Sequence, residues 1–353
     1  MSHPATSPAR TNRSAAVGRS ALDLFAGGSG TVFALLIVVL VAITFLNPSF
    51  AEPPSLMAFL RNAAPLIVLA IGQYFVIVSG EFDLSVGSLV GAQVVIAAKL
   101  IDGEESRTWG VIALMLVFGL LVGLVNGLVT TLLRVPSFIT TLGMLLILAG
   151  AVRLWTGGAP TGALSDSFRQ WGRTGIDMPV VRQLPYALLI AIALGVAAVL
   201  LMRAPYGRTL LATGDNPTAA AFAGVRVWRV RTLAFVLSSL MATLAAILIG
   251  GFAGVSAQVG QGLEFTAITA VVLGGVVLGG GRGWVVAAMA GALTYQALER
   301  LFTQLDMPTT ARPALQGVII IAAVAYAARS RGHRPPPPAP AETANDPVPE
   351  RVG

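Results

Sequence analysis

The chain contains no cysteine, a single lysine and two histidines among its 353 residues, and only 11% of its residues are charged. Each scarcity excludes a class of chemistry. Without cysteine there is no disulfide, no zinc–thiolate site and no thiol nucleophile, and the redox compartment stays open. His3 and His333 both lie in polar tails, which argues against a histidine metal site or a Ser–His relay in the apolar part. Ordinary soluble domains carry about 25% charged residues. Here 55% of residues are hydrophobic and the mean hydropathy is +0.79. That leaves too little polar surface to cover a water-soluble core of this size. The composition predicts an all-α, polytopic transmembrane helical bundle.

Apolar runs occupy residues 31–46, 63–79, 84–101, 110–132, 137–153, 184–202, 232–251, 264–280, 284–301 and 313–328, giving about ten spans. The short turns at Gly80–Asp83 and Gly281–Gly283 leave open whether the flanking runs are separate spans or one broken, re-entrant element. With a cytoplasmic N-terminus, inner segments hold 14 of the 23 basic residues, and five of them lie between Arg203 and Arg231. Both termini are therefore expected in the cytoplasm. The net charge of +7 reads as membrane topology, and nucleic acid is not an expected partner. Lys99 lies near a span end, from which it can snorkel outward. Residues 1–25 and the Pro-rich 331–353 are expected to be disordered tails around a membrane domain at 26–330. The long polar leader ahead of the first run favours an uncleaved anchor over a signal peptide.

Residues 70–92 and 270–292 share Ala70/Ala270, Val76/Val276, Gly80/Gly280, Val86/Val286, Gly91/Gly291 and Ala92/Ala292. Both segments read as apolar run, glycine turn, apolar run. Duplicated bundles are common in transporters, and chance matching of small apolar residues accounts for the identities equally well.

Polar residues beside the apolar runs are the candidates for chemistry. In Ser79–Ser88, Asp83 is expected to N-cap the third span by accepting N–H groups near Ser85 and Val86. Gly87 and Gly91 form a small face that admits a neighbouring helix, and Glu81 is expected to be solvated. Asn62, Gln73, Asn126 and Gln258 read as interhelical glue or as ligand contacts. Asn62, Gln73, Ser79, Asp83, Ser85, Gly87 and Asn126 thus form one candidate set, for a solute path or for helix packing. The second set lies in the loop 203–231. There Gly214, Asp215, Asn216 and Pro217 read as a helix start with Asn216 as N-cap and Pro217 at the first helical position. Ala219 and Ala220 continue the helix, and Gly224 supplies a left-handed stop. A helix of about two turns is unstable alone in water, so it needs a docking surface, either a cytoplasmic partner or the lipid headgroups. The outer loop 154–183, with Trp155, Phe168 and Trp171, is either a docking surface or an interfacial aromatic belt. A Walker A nucleotide site needs a lysine in GxxxxGK[ST]. The only lysine lies in Ala97-Ala98-Lys99-Leu100, so this chain hosts no such site.

Five stretches, in order, resemble the permease subunits of sugar-type ABC importers, the ribose/monosaccharide permease family. They are Ser79–Ser88 (SGEFDLSVGS), Asn126-Gly127 with Leu133–Gly143 (LRVPSFITTLG), Asp166–Arg169, Gly214–Gly224, and Ala267–Gly283 ending in LGGGRG. The resemblance covers about residues 55–328. The resemblance implies a multi-pass permease in the bacterial plasma membrane, paired with a second permease copy. It further implies a cytoplasmic ATP-binding subunit that hydrolyses ATP, and an extracytoplasmic solute-binding protein. The Gly214–Gly224 loop would be the coupling helix, and this chain would bind no cofactor and act as no enzyme. Gly80-Glu81-Phe82 departs from the Gly-Gly-Ile of many relatives, which leaves the solute open: a monosaccharide first, then a nucleoside or other small polar solute. An ion-coupled secondary transporter and an intramembrane serine protease are rivals from other classes. The acids lie near predicted span ends, against the first, and no histidine lies in any span, against the second.

Overall fold

The computed structural model describes residues 28–321 apart from Val180, Ala257, Gln316, Ile319 and Ile320. Both expected tails, 1–25 and 331–353, lie outside the described residues. So does most of the last expected run, of which 313–315, 317, 318 and 321 are helical.

The chain folds as α1 (Gly28–Leu46), α2 (Pro53–Val78), α3 (Val86–Ile101), α4 (Thr108–Leu132), α5 (Ser137–Thr156) and α6 (Asp166–Arg173). A small antiparallel hairpin follows, β1 (Gly175–Met178) and β2 (Arg182–Pro185), with Gly175 opposite Pro185. Then come α7 (Tyr186–Arg203), α8 (Pro205–Asp215), α9 (Pro217–Phe222), α10 (Val227–Ala253), α11 (Leu263–Leu273) and α12 (Val285–Gln304). Among the described residues five helices, α2, α4, α5, α7 and α10, are long and apolar enough to cross a membrane. The bundle is helical as expected, apart from the hairpin between α6 and α7.

Helix α10 is the axis of the bundle, with α4, α2, α6 and α3 packed around it. Its small residues Ser238, Ser239, Ala242, Ala245, Ala246, Gly250 and Gly251 are all buried. They allow four neighbours to approach one helix. The face of α4 that meets it repeats Gly119, Gly123 and Gly127 at four-residue spacing. A Cβ on Gly123 would lie 2.7 Å from Val236 Cα, and one on Gly127 would lie 2.7 Å from Thr232 Cα. Backbone meets backbone along this seam, the packing that membrane helices use where apolar side chains gain nothing over lipid. On the far side α12 packs against α1, α11 and α2.

Two helices depart from the apolar runs. Helix α2 begins at Pro53 instead of residue 63, because Pro53 and Pro54 suit the first turn, whose N–H groups have no acceptor. Helix α11 covers only Leu263–Leu273 of the expected span 264–280. Gly274 ends it, Gly275 follows with φ +79°, and residues 274–284 are irregular. The α11–α12 region is therefore a broken element.

The α4–α10 seam makes a direct prediction. Gly123→Val should destabilise the purified protein by about 1–3 kcal/mol, the cost of overpacking a filled contact. Gly143→Ala, on α5 where a Cβ meets nothing within 4 Å, should leave stability unchanged or slightly raised. Unfolding in mixed micelles followed by circular dichroism checks both.

Candidate functional site: a buried carboxylate and a glycine junction

The α2–α3 connection is held by side chains from three other helices. Asp83 is fully buried. Its Oδ1 accepts from the Ser85 N–H at 2.9 Å and from Ser85 Oγ at 2.6 Å, and its Oδ2 accepts from Ser238 Oγ of α10 at 2.9 Å. Asn126 of α4 donates through Nδ2 to Ser85 Oγ at 2.9 Å. Phe82, beside Asp83, donates its N–H to Ser137 Oγ at 3.1 Å, and its carbonyl accepts from Thr141 Oγ1 at 3.3 Å, both on α5. Asp83 therefore is not the N-cap of α3. Ser85 occupies that position and makes no side-chain cap bond. Asp83, two residues earlier, closes an Asx turn on Ser85. The positive end of the α3 dipole faces the carboxylate.

The sequence candidates Asp83, Ser85 and Asn126 thus share one network, with Ser137, Thr141 and Ser238 added. Ser238 had no visible signal, because one serine inside an apolar run breaks no pattern. Glu81 is not solvated: its carboxylate pairs with Arg231 of α10 at 2.6 Å, and the two side chains are only 12% and 21% exposed. Gly87 and Gly91 do admit close packing, but against Val259, Gly260 and the first turn of α11 at Glu264. A Cβ on Gly87 would lie 2.6 Å from the Gly260 carbonyl oxygen. Ser79 donates to the Val76 carbonyl at 2.7 Å and closes the end of α2. Gln73 is buried with no protein partner on either amide atom. Asn62 and Gln258 are exposed. A second buried amide, Gln93 of α3, donates to the Met115 carbonyl at 2.8 Å and to Thr243 Oγ1 at 2.9 Å.

The candidates of the loop 203–231 form the expected short helix. Asn216 caps α9 by accepting the Ala219 N–H at 2.9 Å, and Pro217 holds the first helical position. At the other end Gly224 adopts φ +84°. The Gly224 N–H donates to the Ala221 carbonyl at 2.9 Å, and the Val225 N–H to the Ala220 carbonyl at 3.0 Å, a Schellman stop. Gly214 and Asp215 do not belong to that helix start. They end α8, an 11-residue helix that follows α7 after one residue. Ala220 is buried, and Phe222 at the end of α9 is 90% exposed. Tyr206 of α8 donates to the Val230 carbonyl at 3.3 Å, and burial holds its phenol well above the usual range, so it stays a donor.

The two glycine turns of the proposed repeat meet each other and the end of α8. Gly80 and Gly280 take φ +87° and +80°. A Cβ on Gly280 would lie 2.8 Å from Gly80 Cα and 2.9 Å from the Gly214 carbonyl oxygen, and one on Gly214 would overlap the Val78 carbonyl. The Gly281 N–H donates to that carbonyl at 2.9 Å, and Tyr74 donates its hydroxyl to the Gly283 carbonyl at 3.3 Å. Three of the five motif stretches converge here, with no side chain between their backbones.

Two predictions test this arrangement. Asp83→Ala should cost about 2–3 kcal/mol, because it leaves the hydroxyls of Ser85 and Ser238 without their acceptor. Ser238→Ala should cost about 1 kcal/mol, and the double variant less than the sum, because the two residues share a bond. A double-mutant cycle on unfolding free energy in mixed micelles measures the coupling. Gly224→Ala and Gly280→Ala separate conformation from crowding: Gly224 has open space around a Cβ and Gly280 has none. The first should cost about 1–2 kcal/mol, the left-handed penalty. The second should cost about 1–3 kcal/mol more from overlap, read in the same assay.

Residues 55–324 match the family described as branched-chain amino acid transport system / permease component. The chain is 33% identical over 306 residues to the autoinducer 2 import system permease protein LsrC of Escherichia coli (strain K12 / DH10B), covering 85% of this chain and 87% of that protein. It is 32% identical over 298 residues to the ribose import permease protein RbsC of Bacillus subtilis (strain 168), covering 82% and 89%. No solved structure matches the chain. The ordered motifs, the apolar helices and a match over most of its length place this chain in the family of transport-system permease components, as a permease of the sugar-importer type.

Proposed function

We propose that this chain is the membrane-embedded permease of an ATP-driven importer and forms the translocation path for a monosaccharide. The solute assignment follows the relatives, named for import of autoinducer 2 and of ribose. Two copies of the chain, or this chain and a similar permease, would sit in the bacterial plasma membrane with about ten spans each and both termini in the cytoplasm. A soluble binding protein would deliver the solute to the outer surface around α6 and the β hairpin. ATP would be hydrolysed by a separate subunit on the cytoplasmic side, and this chain itself would hold no cofactor.

The observation that carries the reading is the placement of α9. Six residues of helix cannot stand alone in water, and this helix presents an exposed phenylalanine at its tip. It is joined through α8 to both glycine turns and through Val225–Arg226 to α10, the axis of the bundle. A push on α9 therefore reaches the broken elements α2–α3 and α11–α12 together. The two ends of the path can then open alternately as the ATPase binds and releases nucleotide, each state selected by its own contacts. The most buried acid among the described residues, Asp83, is occupied by three hydrogen bonds from Ser85 and Ser238. It therefore serves as a structural anchor between the α2–α3 turn and α10, and no ion-carrying role is needed for it.

The test is Phe222→Asp in the full chain, expressed with its operon partners. The variant should stay folded by size exclusion yet lose co-purification of the ATPase by at least tenfold, because an exposed apolar anchor is replaced by a charge. Undiminished co-purification would remove α9 as the docking element. Uptake by the wild type should persist under a proton uncoupler while ATP is held constant.

A further inference from the structure

A cavity of ≈620 Å³ opens between α9 and the bundle, lined by the C-terminal end of α4, the α4–α5 turn, α9 and the start of α10. None of the motif readings assigns it a role. Its walls carry hydrogen-bond donors that the protein leaves unused. Thr130 is 7% exposed, and its hydroxyl has no partner. Nε of Arg231 is buried and also unpartnered, while Nη1 of the same guanidinium holds Glu81. Arg134 and Thr218 line the opening, and Arg134 makes no ion pair among the described residues.

We propose that this cavity binds a phosphate monoester or diester, gripped by Arg134, Thr130, Thr218 and the free edge of Arg231. The charge balance points to an anion, since Glu81 cancels one of the two guanidinium groups and Arg134 remains in excess. The donor arrangement selects among anions. Four donors approach from α4, its turn, α9 and α10, which suits a tetrahedral group with several acceptor oxygens better than a planar carboxylate. A divalent cation is disfavoured, because the only carboxylate in the cavity is already paired. Trp228 lies on the same wall, with the Arg229 guanidinium 5.1 Å over its ring.

Two sources share this chemistry, the headgroup of an inner-leaflet phospholipid and a soluble phosphate ester. Either would bridge α9 to the α4–α5 turn and to α10. It would add to the hold on α9, of whose residues Ala220 is the buried one, and so set how readily the helix moves.

The experiment uses the full-length chain in nanodiscs and reads the melting temperature by intrinsic tryptophan fluorescence. In discs of phosphatidylcholine alone, glucose 6-phosphate is titrated, with glucose as the uncharged control. In a second arm, part of the phosphatidylcholine is replaced by phosphatidylglycerol. A saturable rise with glucose 6-phosphate but not glucose identifies a soluble ligand; a rise only with phosphatidylglycerol identifies the lipid. Either rise should weaken by tenfold or more in apparent affinity, or vanish, in Arg134→Gln. Thr130→Val, which changes no charge, should weaken it several-fold and serves if Arg134→Gln is not monodisperse. Glu81→Gln frees Arg231 and should tighten binding, a change that a purely structural role for these residues does not produce. The proposal is overturned if neither arm shifts the melting temperature of monodisperse protein, or if the shift persists undiminished in Arg134→Gln and Thr130→Val.

Discussion

The fold turns on a contact that exists only because three residues have no side chain. Gly80, Gly214 and Gly280 bring the α2–α3 turn, the end of α8 and the turn before α12 to within backbone distance of one another. Two of them also need positive φ, which a residue with a Cβ adopts only at a cost. At Gly80 the requirement is conformation, at Gly214 it is space, and at Gly280 it is both. A side chain at Gly214 or Gly280 would push the end of α8 away from the two turns.

The buried carboxylate does complementary work one layer deeper. Asp83 is a charge in a region where charge is expensive, and the structure surrounds it with donors. Ser85, Ser238 and the N-terminal end of α3 face it, and Asn126 holds Ser85 in place. Both carboxylate oxygens accept hydrogen bonds, so the arrangement is rigid: moving either serine leaves an oxygen unsatisfied. It fixes the α2–α3 turn against α10 and α4, while Ser137 and Thr141 fix the same turn against α5. The glycine junction then has one side that is anchored and another, at α8, that is tied to an exposed helix.

Much of this was legible in the sequence, and the reasons for the rest are specific. Asn216, Pro217 and Gly224 announced α9 correctly because capping is a local matter of a few side chains and backbone angles. The glycine pair Gly80/Gly280 announced two equivalent turns, but nothing in the letters says that such turns touch, since contact at a separation of 200 residues is a property of the fold. Helix α8 went unseen because Pro205–Asp215 has neither an apolar run nor a cap signal; packing against α7 and α10 supplies what its sequence lacks. Glu81 was misplaced for a related reason. Its partner Arg231 sits 150 positions away, among arginines that the composition explains as membrane topology. Asp83 was recognised as a residue that accepts backbone N–H groups, and its second oxygen was invisible until Ser238 came into view. Local chemistry can be read from the sequence, and partners brought by tertiary packing cannot.

The irregular segments have a physical meaning beyond their shape. Helix α11 is half the length a span requires, and residues 254–256, 258–262 and 274–284 beside it are not regular helix. Unpaired backbone is tolerated at membrane depth only where protein or a polar path satisfies it. Here protein does so in part: Gly260 and Val259 lie against the Gly87–Gly91 face of α3, and Gly281 bonds to Val78. These are contacts between a broken element and the other half of the bundle, and each uses a residue with little or no side chain. Such a contact resists compression strongly and sliding weakly, because no interdigitated side chain must leave a pocket before the surfaces shift. The contacts between the α2–α3 and α11–α12 regions are of this kind, whereas the bonds that Asp83, Ser137 and Thr141 make hold the α2–α3 turn against α10 and α5.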